Sequence, residues 1–336
     1  MKKTKNGKIA LICLIMFICS GPAVFSQTEQ FSIDVLQDSM KDFSDKLARS
    51  LPFNSTIGLN WADAFIGNFP RFGVGFSVGL TTMDLDSFKG LINLFSNPLP
   101  DWLGGFGGFP IPGWAAEARL GGFALPFDMG FKFGLMPIKN SANFEHFDYL
   151  LVGGDVRYAI LKGNIILPTI SVGVGFNYLS GSLGMTAGED RKFAYENPLT
   201  GLEESIIFKA PLFTVDWSTA SLDFKAQISK SFVIITPYLG IGVSTGWSKA
   251  GYGVKMEVDD SDSSGSIEDV ENIFKKAGFN NFTPTGFSSE TKPINGWNFR
   301  TFGGFALNLA VVRLEFTGFY NFVDKYGATI GFRIQL

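Results

Sequence analysis

The chain has 336 residues, of which 18% are charged, and a formal net charge of −3. A nucleic-acid-binding protein needs a basic surface, so this balance argues against a nucleic-acid partner. The two cysteines, Cys13 and Cys19, both lie close to the N-terminus.

The first 26 residues have the pattern of a secretory signal peptide. Lysines at positions 2, 3, 5 and 8 precede an apolar run, 9–18, which is too short to span a bilayer. Cleavage after Ser26 predicts a mature chain with no cysteine, and therefore no disulfide and no cysteine metal site. It also leaves 24 basic against 31 acidic residues, a net charge of −7. Lipoprotein processing before Cys19 is the alternative.

Residues 31–50 predict an amphipathic helix. Apolar residues recur at spacings of three and four, and polar residues fill the other side. We predict that residues 27–71 form an N-terminal hatch in the mouth of a barrel, including 54–67, which also has the features of a strand. The alternative is a helix that packs on the end of a sheet. The predicted hatch contacts come from Phe43, Leu47, Asn60, Trp61 and Ala62.

Residues 72–336 predict an antiparallel transmembrane β-barrel. The segment 326–336 alternates apolar with polar residues, and similar alternation recurs through the chain. Only a closed sheet satisfies every backbone group of lipid-exposed strands. The abundant glycine (40) and phenylalanine (36) fit a wall with small residues inside and aromatic residues against lipid. A soluble β-sandwich, whose inner faces also alternate, is the alternative.

The pattern predicts twelve strands, or fourteen if a hairpin is hidden in a long loop. The predicted long loops, 83–113, 138–148, 180–204 and 259–296, all lie at one end, as in outer-membrane barrels. Trp114, Trp217, Trp247 and Trp297 fall at strand ends and predict aromatic girdles. The predicted strands are 72–82, 114–124, 128–137, 149–161, 165–179, 205–217, 219–229, 232–246, 249–258, 297–309, 311–323 and 326–336.

Opposite charges two residues apart mark the predicted inner face of several strands. Because residues i and i+2 share a face, and a basic residue facing lipid costs roughly 2–4 kcal/mol, these pairs should point into the lumen. There they line a wet path or brace the wall by pairing across strands. The pairs are Glu117 and Arg119, Asp155 and Arg157, Asp223 and Lys225, and Arg313 and Glu315.

The predicted loop 83–113 is unusually apolar. Loops are ordinarily polar, so an apolar loop indicates either a binding surface or a cap packed on itself. We predict that it captures an apolar ligand, with no cofactor and no metal site involved. The residues predicted to make the contacts are Leu91, Leu94, Phe95, Leu99, Trp102, Phe106 and Phe109.

Catalytic patterns are weak. The single histidine, His146, falls in a predicted loop near Ser141 and Glu145, but neighbours in sequence do not make a catalytic site. The acidic stretch that opens the loop 259–296 lacks the spacing of a calcium loop. We therefore expect a protein that is not an enzyme.

In architecture the mature chain resembles the FadL family of outer-membrane long-chain fatty-acid transporters. The segment Asn60-Trp61-Ala62 is similar to the family's hatch motif Asn-Pro-Ala, with tryptophan in place of proline. The resemblance implies a plugged barrel that moves hydrophobic compounds inward. Ile334 and Leu336 hold the last two outward positions, where the signal read by the barrel-assembly machinery usually ends in an aromatic residue.

The sequence thus predicts an outer-membrane barrel that takes up hydrophobic small molecules such as long-chain fatty acids. Its expected partners are outer-membrane lipid, the apolar ligand and the barrel-assembly machinery. The alternatives are a general porin, and a structural or adhesive barrel that uses its long loops.

Overall fold

The structure, a computed structural model, describes most of the chain after the predicted signal peptide. The predicted signal peptide 1–26 and the segment 84–108, which holds most of the predicted ligand-binding loop, lie outside the described residues. The described ranges are 33–83, 109–141, 144–186, 190–196, 203–210, 212–255, 257–259, 286–290, 293–322 and 325–336.

One helix, α1 (Ile33–Asn54), and fourteen strands make up the described secondary structure. The helix lacks an apolar stretch long enough to cross a bilayer. The strands are β1 (Phe72–Met83), β2 (Phe109–Gly121), β3 (Phe127–Ser141), β4 (Phe144–Leu161), β5 (Thr169–Thr186), β6 (Arg191–Glu196), β7 (Glu203–Phe208), β8 (Leu212–Ser229), β9 (Ile235–Lys255), β10 (Val258–Asp259), β11 (Gly286–Glu290), β12 (Ile294–Leu309), β13 (Val312–Asn321) and β14 (Lys325–Gln335).

Ten of these strands close into an antiparallel barrel, which confirms the predicted fold class. The order is β1-β2-β3-β4-β5-β8-β9-β12-β13-β14, and β14 pairs back with β1. Beside the barrel, β6, β7 and β10 form a small sheet, and β11 pairs with the far part of β9. Phe72 and Leu336 exchange backbone hydrogen bonds of 3.2 and 2.9 Å where the first and last strands meet.

The barrel has ten strands rather than the predicted twelve to fourteen. The predicted turns at Ser218 and Ser248 lie inside β8 and β9, where they join strands that were predicted to be separate. A lone serine accepts extended backbone as readily as a turn, and neither site has the glycine, proline or asparagine that a tight turn favours. Next to these sites, the hydroxyls of Thr219 and Ser248 lie 2.8 Å apart across the two strands.

The connections differ in length between the two ends of the barrel. At one end, the long-loop end, residues 84–108, 187–211 and 256–293 join barrel strands; the predicted loop 138–148 is instead mostly strand, with β3 and β4 closely joined. At the other end, the short-turn end, the connections are 122–126, 162–168, 230–234 and 310–311. The predicted asymmetry therefore holds with ten strands.

Side chains alternate between the two faces of the wall. Large apolar residues such as Phe76, Phe131, Val174, Ile241 and Ile330 are exposed on the outside. Their neighbours in sequence point inward and are buried although many are charged. Trp247 and Trp297 are exposed on the outside, whereas Trp217 packs with the buried core around α1, contrary to its predicted place in a girdle.

Candidate functional site in the barrel lumen

The half of the lumen nearer the short-turn end, the lower lumen, is lined with charged side chains. Glu117, Arg119, Asp155, Arg157 and Glu315 are all buried there. Arg313, also predicted to face the lumen, is half-buried and lies directly opposite Arg333 in the β13–β14 register, on the same face. The predicted inner residues Asp223 and Lys225 are buried inside the barrel too, together with Asp128, Lys132 and Arg300.

The lower-lumen charges pair mainly between strands. Asp128 forms ion pairs with Arg119 at 2.5 Å and with Arg157 at 2.9 Å. Arg119 also forms an ion pair with Asp155 at 2.7 Å. Asp155 accepts from Lys225 Nζ at 2.5 Å. Buried charges persist in proteins when they are paired in this way. The network braces β2, β3, β4 and β8.

Three further ion pairs lie around the lumen. Arg300 of β12 meets Asp223 of β8 at 2.6 Å across the intervening β9. Arg333 of β14 contacts Glu315 on the wall and Asp63 in the N-terminal segment, the latter at 2.6 Å. An ion pair therefore ties Asp63 of the N-terminal segment to the barrel wall.

Residues 55–66, the lumen segment, run through the lower lumen without regular secondary structure. An irregular chain needs outside partners for its backbone groups, and here the wall supplies them. Lys132 Nζ donates to the carbonyls of Ser55 and Ile57, both at 2.7 Å. Gln227 Nε2 donates to the Trp61 carbonyl at 2.7 Å. The wall thus fixes the path of the lumen segment.

Wall oxygens accept from the backbone N–H groups of the lumen segment. Ser229 Oγ accepts a hydrogen bond from the N–H of Ala64 at 2.9 Å, and Asp128 accepts one from the N–H of Ile66 at 3.1 Å. The N–H of Ala62, a predicted hatch residue, donates to Glu315 at 2.5 Å. Both donors and acceptors of the segment are therefore matched by the wall.

Trp61 is the centre of the lumen segment and is almost wholly buried. Its Nε1 donates to Glu117 at 2.5 Å, and the guanidinium carbons of Arg333 and Arg119 lie 4.4 and 5.5 Å from its ring. Cations over an indole face are favoured electrostatically, the more so away from water. The neighbouring Asn60 donates from Nδ2 to the Thr56 carbonyl at 2.7 Å, which closes a local turn.

Glycines on the inner wall make room for the lumen segment. A Cβ at Gly73 would lie 2.8 Å from the Trp61 ring, so any larger residue would displace the indole. Within the segment, Gly58 has φ +84°, a backbone conformation that glycine adopts without strain.

The half of the lumen nearer the long-loop end, the upper lumen, contains an apolar core, although Asn321 and Lys325 are buried at the same end. The hatch residues Phe43 and Leu47 of α1, together with Leu51, are buried there against wall side chains. Their partners come from several strands: Met83, Ala115, Tyr149, Leu151, Leu179 and Ala250. Among the described residues, the helix and the lumen segment occupy the lumen, and a cavity of about 10 Å³ beside Lys132 and Lys225 has room for no more than one water molecule.

Backbone pairing stops part-way along β2 and β3, a feature we call the β2–β3 seam. The two strands pair only from Ala116–Phe133 to Gly121–Asp128. Over their described residues beyond that, 109–115 and 134–141, the strands pair with β1 and β4 but not with each other. On the outside Trp114 stacks on Phe76, with ring centroids 5.4 Å apart. Ile111 and Met136 pack against the apolar core of the upper lumen.

Prolines explain why the seam stays unpaired. The Trp114 carbonyl faces β3 and β4, because Tyr149 Oη of β4 donates to it at 3.3 Å. Alternate residues of a strand present their backbone groups to the same neighbour, so Pro110 and Pro112 face β3 as well. Neither has an N–H to donate, and proline in a sheet is confined to such edges.

The remaining predicted site residues fall outside the lumen or outside the described chain. Leu91, Leu94, Phe95, Leu99, Trp102 and Phe106 are not among the described residues, and Phe109 is the first residue of β2 rather than a loop residue. His146 lies in β4, not in a loop. No three His, Cys, Asp or Glu side chains of the described chain converge to hold a metal ion.

Two features of the lumen were not predicted from the sequence. The apolar core of the upper lumen was missed because inward residues such as Leu151 and Leu179 break the apolar-out, polar-in rule in strands that obey it elsewhere. The seam was missed although Pro110 and Pro112, spaced to face one neighbour, are its signal in the sequence.

Comparison with known proteins identifies a family. No curated protein matches the chain. Among solved structures, the outer-membrane expressed OmpT of Vibrio cholerae aligns with 79% of this chain and 97% of its own, at 7% identity and a TM-score of 0.15, which carries no argument. The resemblance to fatty-acid transporters stays a prediction. A family profile described as a family of unknown function, DUF6588, matches residues 123–336. The chain therefore belongs to the DUF6588 family.

Proposed function

We propose that this protein is an outer-membrane barrel that admits hydrophobic small molecules of the long-chain fatty-acid type. The observation that carries the proposal is the β2–β3 seam, which joins the apolar outer surface to the apolar upper lumen. A ligand that dissolves in the outer leaflet would meet this seam without crossing water.

Membrane placement is supported by the contrast between the two faces of the wall. The outer face is a continuous apolar surface, and the charges lie inside. From Pro237 to Trp247, β9 has about ten residue steps, roughly 33 Å along the strand and about 25 Å along the axis at a tilt of about 40°. That height matches the apolar band of outer-membrane barrels.

The division of the lumen suggests how entry is controlled. An apolar ligand in the seam would compete with Phe43 and Leu47 for the same wall residues, at roughly 25 cal/mol per Å² of apolar surface buried. The lumen segment below has an apolar cluster of its own around Ala62, but ion pairs and hydrogen bonds to the wall hold it in addition. Ligand entry would therefore displace α1 first and leave the lumen segment in place.

Closing the seam tests the proposal. Replacing Pro110 and Pro112 together by threonine restores two N–H donors facing β3, and Pro237→Thr in β9 is the control. Labelled oleate uptake is measured in proteoliposomes, with amide hydrogen exchange at 110–115 and 134–139 to show that the seam has paired. We expect the double variant to gain exchange protection and lose at least about tenfold in uptake rate, while the control stays at the wild-type rate.

Unchanged oleate uptake in a double variant whose seam is protected from exchange contradicts the entry route. A second candidate, a sealed structural barrel, is favoured by the density of ion pairs in the lower lumen; it predicts no oleate uptake by the wild type. A general porin predicts a large steady aqueous conductance in planar bilayers, which the filled lumen argues against.

A further inference from the structure

The connections at the short-turn end carry apolar side chains where water-exposed turns are ordinarily polar. Three of them, 122–126, 162–168 and 230–234, are called here the apolar turns. Their tips project away from the rest of the protein: Ile165 is 97% exposed, Val233 93%, Ile166 84% and Phe123 71%. Single exposed apolar residues are ordinary, but a set of them at one end of a molecule marks a binding surface.

The backbone of the turn 162–168 is satisfied from within the protein. Asn164 Oδ1 accepts from the N–H groups of Ile166 and Leu167 at 2.8 and 2.7 Å. Lys230 Nζ, from the neighbouring turn, donates to the carbonyls of Asn164, Ile165 and Leu167 at 2.8, 2.7 and 3.2 Å. A turn in water has no need of such partners, because water supplies them. A turn at the edge of hydrocarbon does need them.

The other two apolar turns are satisfied in the same way. In the first, Asn68 Nδ2 donates to the carbonyls of Gly122 and Leu125, at 3.1 and 2.9 Å. In the third, the Phe232 N–H donates to the Ile235 carbonyl at 2.8 Å, and Asn308 Nδ2 donates to the Phe232 carbonyl at 3.3 Å. The pattern of apolar tips and internally paired backbone is thus common to all three.

The charges at this end are basic. Lys162 and Lys230 begin two of the apolar turns, Arg71 is exposed next to the start of β1, and none of the three turns contains an acidic residue. Basic residues beside apolar ones match a lipid surface, where phosphate lies next to hydrocarbon. Binding to a water-soluble partner protein would not require basic residues beside the apolar tips.

We infer that the apolar turns are inserted in the phospholipid leaflet at the short-turn end, with the basic residues at the level of the lipid phosphates. The inference rests on the membrane placement proposed above and extends it from the wall to the turns. The short-turn end of the barrel therefore ends within the membrane, and the lower lumen opens at the leaflet surface. A hydrophobic molecule leaving there enters lipid directly.

The test uses the mature chain, which is expected to have no cysteine. Single cysteines at Ile165 and Val233 carry a fluorescent label in vesicles of phosphatidylcholine and phosphatidylglycerol. Quenching is measured with spin-labelled lipids and with aqueous iodide. Val174→Cys on the outer belt is the lipid reference, and Lys139→Cys, exposed near the long-loop end of β3, is the water reference.

We expect spin-labelled lipid to quench the two turn labels at least twofold more than the Lys139 label, and iodide to quench them at least twofold less. Turn labels quenched only by iodide, beside a lipid-quenched Val174 label, overturn the inference and leave the membrane barrel intact; an apolar protein partner would then be the occupant. If iodide also quenches the Val174 label and lipid does not, both the inference and the proposed membrane placement fail.

Discussion

At the scale of single residues, Glu117 is the side chain on which the lumen segment depends most. It accepts from the Leu59 N–H at 2.9 Å, from Trp61 Nε1 at 2.5 Å and from the Ser77 hydroxyl. All three donors are buried with it. A buried donor that loses its acceptor incurs its full desolvation cost, so the three bonds depend on one another.

Removing the acceptor should loosen the barrel measurably. Glu117→Ala leaves three buried donors without a partner, and a buried donor that loses its acceptor typically costs about 1–3 kcal/mol. We expect the temperature at which the purified protein loses its folded, fast-migrating band on gels to fall by several degrees. Glu145→Ala, at an exposed carboxylate, should leave it unchanged. Equal midpoints for the two variants would contradict the role of Glu117.

At the scale of elements, the N-terminal segment has two parts that are held by different forces. The helix α1 packs in the upper lumen through apolar side chains, whereas the lumen segment is bound through ion pairs and backbone hydrogen bonds. The two attachments share few residues. Because contacts far apart contribute nearly independently, the helix should loosen without the lumen segment.

Hydrogen exchange can separate the two parts. Leu47→Ala and Leu51→Ala each remove a buried side chain, at a cost of about 2–5 kcal/mol. We expect faster amide exchange over 41–54 and unchanged protection over 55–66. Lys46→Ala, whose side chain is partly exposed on the same helix, serves as the control and should alter neither range. Loss of protection over 55–66 in the leucine variants would show that the segment moves as one body.

Much of the fold could be predicted from the sequence because alternation is a local signal. Strands such as 326–336 show their faces directly, and the helix was predicted within a few residues of its observed bounds. Strand ends could not be predicted at Ser218 and Ser248, since pairing continues there without an apolar pattern. Charge partners could not be predicted from the sequence either: Asp155 of β4 pairs with Arg119 of β2 and Lys225 of β8, each across one intervening strand, because the register of the sheet brings them together.

At the scale of the whole molecule, the barrel is asymmetric along its axis. The strands β4, β5, β8 and β9 have 18 to 21 residues, well beyond the 9–11 that cross a bilayer. Since the apolar surface begins at the short-turn end, the excess length lies at the long-loop end. The helix leaves the lumen at this same end: Asn54 hydrogen bonds to Thr81 at 2.7 Å, and Phe43 and Leu47 pack near Met83 at the end of β1.

The end at which α1 leaves the lumen predicts the side of the membrane from which a reagent can label the N-terminal segment. If the proposed membrane placement holds and the long loops face the medium, as they do in outer-membrane barrels, the start of α1 is at the cell surface. A membrane-impermeant maleimide should therefore label Asp42→Cys on intact cells, since Asp42 is exposed on α1. Arg71→Cys, exposed beside the start of β1 at the opposite end, should react only after the outer membrane is permeabilised. The reverse pattern would place the long loops in the periplasm, whereas labelling of neither site on intact cells, with Asp42→Cys reactive in detergent, would place α1 beneath a closed cover.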